Sequence, residues 1–382
     1  MQLGADFYGL IRRFSPRADS PIALAVSGGS DSLALLHLTH DWAKQAGREL
    51  LVLTVDHRLR PEAKYEAERV AAISAELGHP HVTLTWETPR ASQAAARQGR
   101  YELLAQATRR HDAACLLTGH SFDDVVETAM IRRRRGVRDA SIAGPVLAAP
   151  VPAWPAGRSI TLLRPLIHRS RSDLRTYLEA RGQDWVDDPS NANPAYERVR
   201  VRAFLARHKR LGQLAKLFIR TQQEARSLDQ RTLGENLSKV QVDPCGLIDT
   251  AAATLTPNLI KLLIRCASGS ADDPRDGAVR QLLETLTSPG QRQTLGGAWL
   301  QRSKTGLLIG RDPATMSLSD QGDLFDGRFE RDEMGNQPAG NDLPFLVRQS
   351  APPGPHWREI ISERLEHLVQ CYQTPLLSPV QR

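Results

Sequence analysis

The segment Ser27-Gly28-Gly29-Ser30-Asp31-Ser32 carries the densest chemistry in the chain. Its adjacent glycines allow a tight turn and a close backbone approach to a ligand. Successive N–H groups, the start of a following helix and the hydroxyls of Ser27, Ser30 and Ser32 make a cradle for an anion. A loop built for the β- and γ-phosphates of a kinase or GTPase substrate carries Gly-Lys-Ser/Thr, whose lysine reaches those phosphates. Here Asp31-Ser32 stands in that place, and a carboxylate repels a nucleotide unless a divalent cation bridges them. The loop therefore predicts a pyrophosphate cradle assisted by Mg²⁺, with ATP cleaved between its α- and β-phosphates. Ser27, Gly28, Gly29, Ser30, Asp31 and Ser32 are the expected ATP-binding residues, and Asp31 an expected metal ligand.

A second group is Gly119-His120 followed by Asp123, Asp124, Glu127 and Thr128. A spacing of three or four residues puts Glu127 on the helix face of Asp123 and Asp124. His120 and these carboxylates suit metal binding, the orientation of an amine, or its deprotonation. Acids at a helix start also satisfy the helix dipole, so a capping role stays open. Arg97 and Arg100 share a helix face beside Tyr101, where one of them either reaches phosphates or makes a surface salt bridge. Val55-Asp56-His57-Arg58-Leu59-Arg60 stands where a nucleoside can sit at the end of a strand. Two basic clusters complete the set. One is Arg132, Arg133, Arg134 and Arg135, with Arg138 just beyond. The other is Arg198, Arg200, Arg202, Arg207, Lys209, Arg210, Lys216 and Arg220, with no acid among them. Both have the form of a phosphate-backbone contact, or of a solvated helix face.

The elements that must hold these residues alternate. Strands are expected at 22–26, 51–55, 81–86 and 114–118, and helices at 32–46, 62–77, 92–110 and 122–133. Short apolar strands separated by longer helices predict an α/β fold with a doubly wound parallel sheet. The motifs fall just after the strands, where such sheets bind ligands. Residues 143–157 read as a loop, 163–167 as a short extended segment, 170–181 as a helix and 196–227 as a basic helical stretch. Beyond lie helices near 257–267 and 276–287 and a hairpin near 294–310. Three regions are expected: a catalytic domain over 1–205, a substrate-binding, partly helical region over 206–315, and a C-terminal region over 316–382.

The 382 residues, 41% hydrophobic and 24% charged, suit more than one folded domain and argue against disorder. Arg12, Arg13 and Arg17 fit a transit peptide, but the strand expected at Ile22 leaves little to remove. No apolar run matches a membrane span, and a cytoplasmic location is expected. Cys115, Cys245, Cys266 and Cys371 form no CxxC pair and read as buried thiols. The net charge of +7 favours a polyanionic partner.

These segments resemble, in order, the tRNA(Ile)-lysidine synthetase family of PP-loop ATP pyrophosphatases. The resemblance runs through SGGSDS at 27–32, VDHRLR at 55–60, QAAAR with RY at 93–101, GHSFDDVVET at 119–128 and RPL at 164–166. It continues through DDPSN at 187–191 and YERVRVR at 196–202, then more thinly through TLGG at 294–297 and DGRF at 326–329. Arg58 departs from it, standing where many members have glycine; the Arg132–Arg135 run is more basic than usual, and Val199 replaces a frequent Asn. The resemblance implies an ATP-dependent carbon–nitrogen ligase. Its substrates would be free L-lysine and tRNA(Ile) bearing a CAU anticodon. The wobble cytidine would be adenylated on its C2 oxygen, pyrophosphate released, and lysine would expel AMP to leave lysidine. It implies roles for Asp31 and Asp124 toward Mg²⁺ and for Arg100 toward phosphate charge. One carboxylate among Asp123, Asp124 and Glu127 would hold the lysine ammonium and help deprotonate it, with His120 beside them. The tRNA contacts would fall to Arg132–Arg135, Arg198, Arg200, Arg202 and Arg207. No stable protein partner is implied. Base thiolation by another tRNA-modifying PP-loop enzyme is the alternative, and a small-molecule amide-forming synthetase a more distant one.

Overall fold

Four apolar segments beginning at Ile22, Leu50, His81 and Cys115 pair side by side, because each is short, bounded by turns and followed by a long helix. They are β1 (Ile22–Ala25), β2 (Leu50–Asp56), β3 (His81–Thr85) and β4 (Cys115–Thr118), all parallel, with β6 (Thr161–Leu163) parallel beside β4. β5 (Ala148–Pro150) closes the edge, and the order is β3-β2-β1-β4-β6-β5. In the computed structural model the described residues are 7–12, 20–58, 62–86, 93–113, 115–137, 140–187, 195, 197–270, 272–316, 324–326, 328–331 and 357–373. Of the sequence motifs, 59–60, 138, 188–191, 196 and 327 lie outside them.

The expected doubly wound α/β sheet is present with one difference. β5 lies inside the segment read as a loop and pairs antiparallel with β6. Its Ala-Ala-Pro composition hid it, and an edge is where a sheet tolerates proline. The connecting helices are α1 (Ser30–Ala46), α2 (Glu62–Glu76), α3 (Gln93–Arg110) and α4 (Phe122–Arg134). α1 is held by Leu33, Leu35, Leu36, Leu38 and Trp42, all buried in a core shared with Leu24, Val52, Leu117 and Val125. The strand order runs 3-2-1 and then jumps to 4. Chains leaving β1 and β4 therefore diverge, opening a crevice at the carboxyl ends of this central pair.

After β6 come α5 (Arg171–Glu179), α6 (Glu197–Arg207) and α7 (Lys209–Leu237). The basic stretch is thus two helices meeting at His208 rather than one. The chain forms two compact units among its described residues: 7–151 with 160–229, and 152–159 with 230–373. The first unit passes the expected boundary at 205 because Ile219 on α7 is buried in the core of the sheet domain.

The second unit contains an antiparallel sheet ordered β7-β8-β11-β10-β9. Its strands are β7 (Gln241–Val242), β8 (Ile248–Asp249), β9 (Arg292–Leu295), β10 (Ala298–Arg302) and β11 (Leu307–Arg311). Gly296 and Gly297 turn β9 into β10 at φ values of 59° and 81°, in the region glycine favours. Helices α8 (Pro257–Ser268) and α9 (Asp276–Thr285) supply much of its core. A small sheet of β12 (Leu324–Phe325), β13 (Phe329–Arg331) and β14 (Trp357–Glu359) follows. Then comes α10 (Ile361–Gln373), whose Ile361, Leu365 and Leu368 join the same core. The described residues expected in a separate C-terminal region thus belong with the second unit. Asp326 there accepts both Nε and Nη2 of the buried Arg311, at 2.8 and 2.9 Å.

Candidate active site

The loop after β1 turns at Gly28, whose φ of +82° a side chain would strain. Its carbonyl accepts the Val186 N–H at 3.0 Å, which ties the segment after α5 to the loop. Ser32 closes the loop from inside: its hydroxyl donates to the Gly29 carbonyl at 3.0 Å and accepts the Ser27 N–H at 3.2 Å. Ser32 therefore shapes the cradle rather than offering a hydroxyl to a ligand. Gly29 is the N-cap residue of α1 and has no side chain to cap it. The first N–H groups of this 17-residue helix, with their share of positive dipole, point out of the loop. Opposite, the end of β4 lies against the loop. A Cβ on Gly119 would stand 2.8 Å from the Asp31 carbonyl oxygen and 2.9 Å from the Ser32 Cα, so only glycine fits.

The acids meet on one side chain that sequence reasoning did not single out, Arg171 at the first position of α5. Its Nε donates to Asp31 Oδ2 at 3.3 Å, Nη2 to Asp124 Oδ1 at 3.0 Å and Nη1 to Glu127 Oε1 at 3.3 Å. Its backbone N–H donates to Asp123 Oδ2 at 2.7 Å. Asp124 also caps α4, accepting the Ser121 N–H at 3.0 Å and hydroxyl at 3.1 Å on Oδ2. Buried Glu127 takes Arg202 through Nε at 2.8 Å and Nη2 at 3.2 Å, with Arg198 Nε 3.5 Å away. Lys216 Nζ lies 3.0 Å from Asp123. Burial drives the Asp31 carboxyl above its ordinary value, against the pull of Arg171 and with a further push from Asp124. Burial opposes ionisation of Asp124 too, but Arg171 and the Ser121 N–H more than offset it, and its pKa is lowered. Two neighbouring carboxylates are thus split apart by their surroundings. Arg171 is held charged: its burial is outweighed by Asp124, Asp31 and Glu127.

A basic pole lies beyond His120. His120 Nδ1 is 2.9 Å from the Thr118 hydroxyl. Burial, then Arg164, lower its pKa to about 3, with Arg100 and Arg97 adding to the effect, so the ring is neutral at neutral pH. Arg164, of the RPL motif, is buried and donates to the Val146 carbonyl at 2.8 Å. Arg97 and Arg100 both lie over the Tyr101 ring, at 5.0 and 5.2 Å from its centroid. Arg100 therefore faces this pole and not the carboxylates. His57, at the end of β2, meets the edge of Trp86 at 5.8 Å between ring centroids. Its buried Nδ1 has no hydrogen-bond partner among the described residues. Arg58 beside it has φ of +51°, in the left-handed region that favours glycine.

The basic clusters divide. Arg198 and Arg202 turn inward to Glu127, and Arg220 lies over the Phe122 ring at 5.1 Å. Arg200 donates to the Ala195 carbonyl at 2.8 Å, Arg207 is exposed, and Arg133, Arg134 and Arg135 are exposed with Arg135 on Glu197 at 2.6 Å. Arg132 is half-buried. Two cations of this region, Arg171 with its three carboxylate contacts and the buried Arg164, are not among the site residues expected from the sequence. Arg171 carried one signal: a cation at a helix start opposes the helix dipole, and such a local conflict marks a tertiary partner.

An anion cradle at the end of β1, facing carboxylates at the end of β4 across the switch point, defines a PP-loop enzyme, and the PP-loop domain family matches residues 7–209. The tRNA(Ile)-lysidine synthase of Hyphomonas neptunium is 36% identical over 298 residues, covering 76% of this chain and 81% of that protein. That of Caulobacter vibrioides is 33% identical over 335 residues, covering 87% and 74%. Among solved structures, the U34-tRNA thiolase NcsA from Methanococcus maripaludis aligns with a TM-score of 0.47 at 15% identity, covering 59% of this chain and 78% of that one. The chain belongs to the tRNA(Ile)-lysidine synthase family.

Proposed function

We propose that this chain ligates free L-lysine to C2 of the wobble cytidine in the CAU anticodon of tRNA(Ile), consuming ATP and releasing AMP and pyrophosphate. The observation that carries this reading is the meeting of the pyrophosphate cradle and the acidic start of α4 across the β1/β4 crevice. A phosphate loop alone serves many reactions. Carboxylates set beside it suit a reaction that also needs a cation, here a divalent ion and an amine nucleophile.

The Ser27–Asp31 loop, shaped by Ser32, and the start of α1 would bind the β- and γ-phosphates. The nucleoside would lie toward His57 and Trp86 at the end of β2. The donor set fits Mg²⁺ at Asp31 and Asp124: these are oxygen ligands, and one guanidinium already bridges them. Mg²⁺ commonly takes one or two carboxylates plus substrate phosphates rather than a full protein cage. The bound ion would neutralise charge on the leaving pyrophosphate.

In the first step the C2 oxygen of cytidine attacks the α-phosphorus and pyrophosphate leaves. In the second the lysine ε-amine, having lost a proton, attacks C2 and the C–O bond to AMP breaks. Asp124 and Glu127 would hold the ammonium and orient it. Arg100 and Arg164 would offset charge developing on the α-phosphate. Neutral His120, between the two poles, can accept or donate a hydrogen bond without adding charge. The exposed arginines of 132–135, with Arg200 and Arg207, would clamp the anticodon stem-loop while the target base leaves its stack.

The test is pyrophosphate release from ATP with the full chain, with and without L-lysine and tRNA(Ile) transcript carrying CAU. Release that needs the tRNA, with lysine found covalently on the tRNA, supports the reading. Release indifferent to both, or transfer of sulfur instead of lysine, removes it.

A further inference from the structure

We propose that Arg171 is the resident cation of the acidic site, and that an entering substrate cation must displace it from Asp31 and Asp124. The inference deepens the function proposed above and rests on it for the identity of that cation.

The geometry points this way for three reasons. First, one guanidinium is shared among Asp31, Asp124 and Glu127. Contacts between ionised partners usually close to about 2.7–2.9 Å. Those from Arg171 are 3.3, 3.0 and 3.3 Å, whereas Arg202 reaches Glu127 at 2.8 Å. The Arg171 fork is spread over three acceptors and fully seated on none. Second, the consequences of its leaving are unequal. Glu127 keeps Arg202 and Arg198, but Arg171 is the only ion-pair partner of Asp31 and of Asp124 among the described residues. Departure of the side chain frees those two carboxylates, the pair best placed beside the phosphate cradle. Third, the main chain is anchored separately: the Arg171 N–H is bound to Asp123 at 2.7 Å. The guanidinium can swing out without unseating the start of α5.

The chemistry shared by possible successors is a compact cation that takes oxygen ligands, either a divalent ion or the ammonium of lysine. A competitor built into the protein lowers the apparent affinity of the ligand it competes with by the fraction of sites it occupies. Removing it raises that affinity. A clamp or a substrate-touching group does the opposite when removed, so the sign of the effect separates the roles.

The experiment compares wild type, Arg171→Gln and Arg171→Lys as full chains. Mn²⁺ binding is titrated without nucleotide or tRNA, L-lysine binding is titrated separately, and lysine KM and kcat are read from pyrophosphate release. Arg171→Gln is expected to tighten one of the two binding constants about tenfold or more, as expected when a mostly occupied internal competitor is removed. Tighter Mn²⁺ with unchanged lysine identifies the divalent ion as successor; the reverse identifies the ammonium. Arg171→Lys keeps the charge but reaches fewer acceptors at once, so its constant should fall between. It also serves if Arg171→Gln does not fold. Unchanged or weaker binding of both ligands in the folded variants overturns the proposal and makes Arg171 a clamp between α4 and α5. Tightening in a protein whose wild type shows no lysine-dependent turnover would keep the resident cation and remove the proposed function.

Discussion

Glu127→Gln gives the sharpest test of how the site is built, because the substitution keeps the shape and removes only the charge. Glu127 has 3% of its side chain exposed and is ringed by Arg171, Arg202 and Arg198 at 20%, 35% and 49% exposure. Taking one partner from a buried ion pair costs about 3–5 kcal/mol, since the other charge is left uncompensated. That range is an upper bound here. The half-exposed Arg198 at 3.5 Å contributes little once water screens it. Glutamine keeps one oxygen to accept the Arg202 Nε–H, while its amide group faces the remaining guanidinium. An expected loss of about 2–3 kcal/mol follows. For a unit of this size each kcal/mol moves the midpoint by roughly 2–4 °C, so thermal unfolding should drop by about 4–12 °C. Measured well below that midpoint, the variant should still release some pyrophosphate but need more lysine. An unfolding midpoint within a degree of wild type would show that the arginine cage does not hold Glu127. Unchanged lysine dependence would take Glu127 out of the amine site.

Asp31→Asn should abolish ATP-dependent pyrophosphate release while tRNA binding, followed by filter retention, stays near wild type; retained release would remove Asp31 from the phosphate chemistry. Because burial raises the Asp31 pKa above its ordinary 3.8, the folded state holds this proton longer than the unfolded chain. Its contribution to stability therefore falls as pH rises from 3.8 through the raised value, and Asp31→Asn should lose that slope in a pH series of unfolding midpoints. Gly119→Ala places a Cβ 2.8 Å from the Asp31 carbonyl, which should cost about 1–3 kcal/mol and displace the phosphate loop, read as a rise in ATP KM. Replacing Arg200, Arg207 and Arg210 by Ala should flatten the slope of log K for tRNA against log salt by about 2–3, at roughly 0.7–0.9 for each phosphate no longer neutralised. Replacing Arg202 and Lys216 should instead lower the unfolding midpoint with little change in slope, since both are paired with acids. Equal effects from the two sets would erase that distinction.

Sequence alone determined the local chemistry and the order of elements. Gly28 and Gly29 between an apolar run and a helix carry their own conformational signature, and strands at 22, 50, 81 and 115 are legible because buried parallel strands are short, apolar and bounded by turns. A capping or dipole role for the acids at the start of α4 was readable as one of the open alternatives, and Asp124 fills it through the Ser121 N–H. The edge strand at Ala148–Pro150 was not legible: its pairing to β6 is a property of the neighbour. Nor could spacing say that Ile219 joins the sheet core. The deeper gap concerns charge. In the sequence Arg198, Arg202 and Lys216 belong to a basic stretch without acids, and such a stretch asks for a polyanion. Folding brings them against Asp123 and Glu127, residues far earlier in the chain, and turns part of that basic surface into ion pairs. Arg171 shows the same limit from the other side. Nothing within its own helix rewards a cation at the first position; only the fold places Asp31, Asp124 and Glu127 around it. Backbone conformation is decided by near neighbours, but the partner of a charge is decided by whichever group the tertiary structure brings within a few ångströms, because that is the range over which a partly buried charge is compensated.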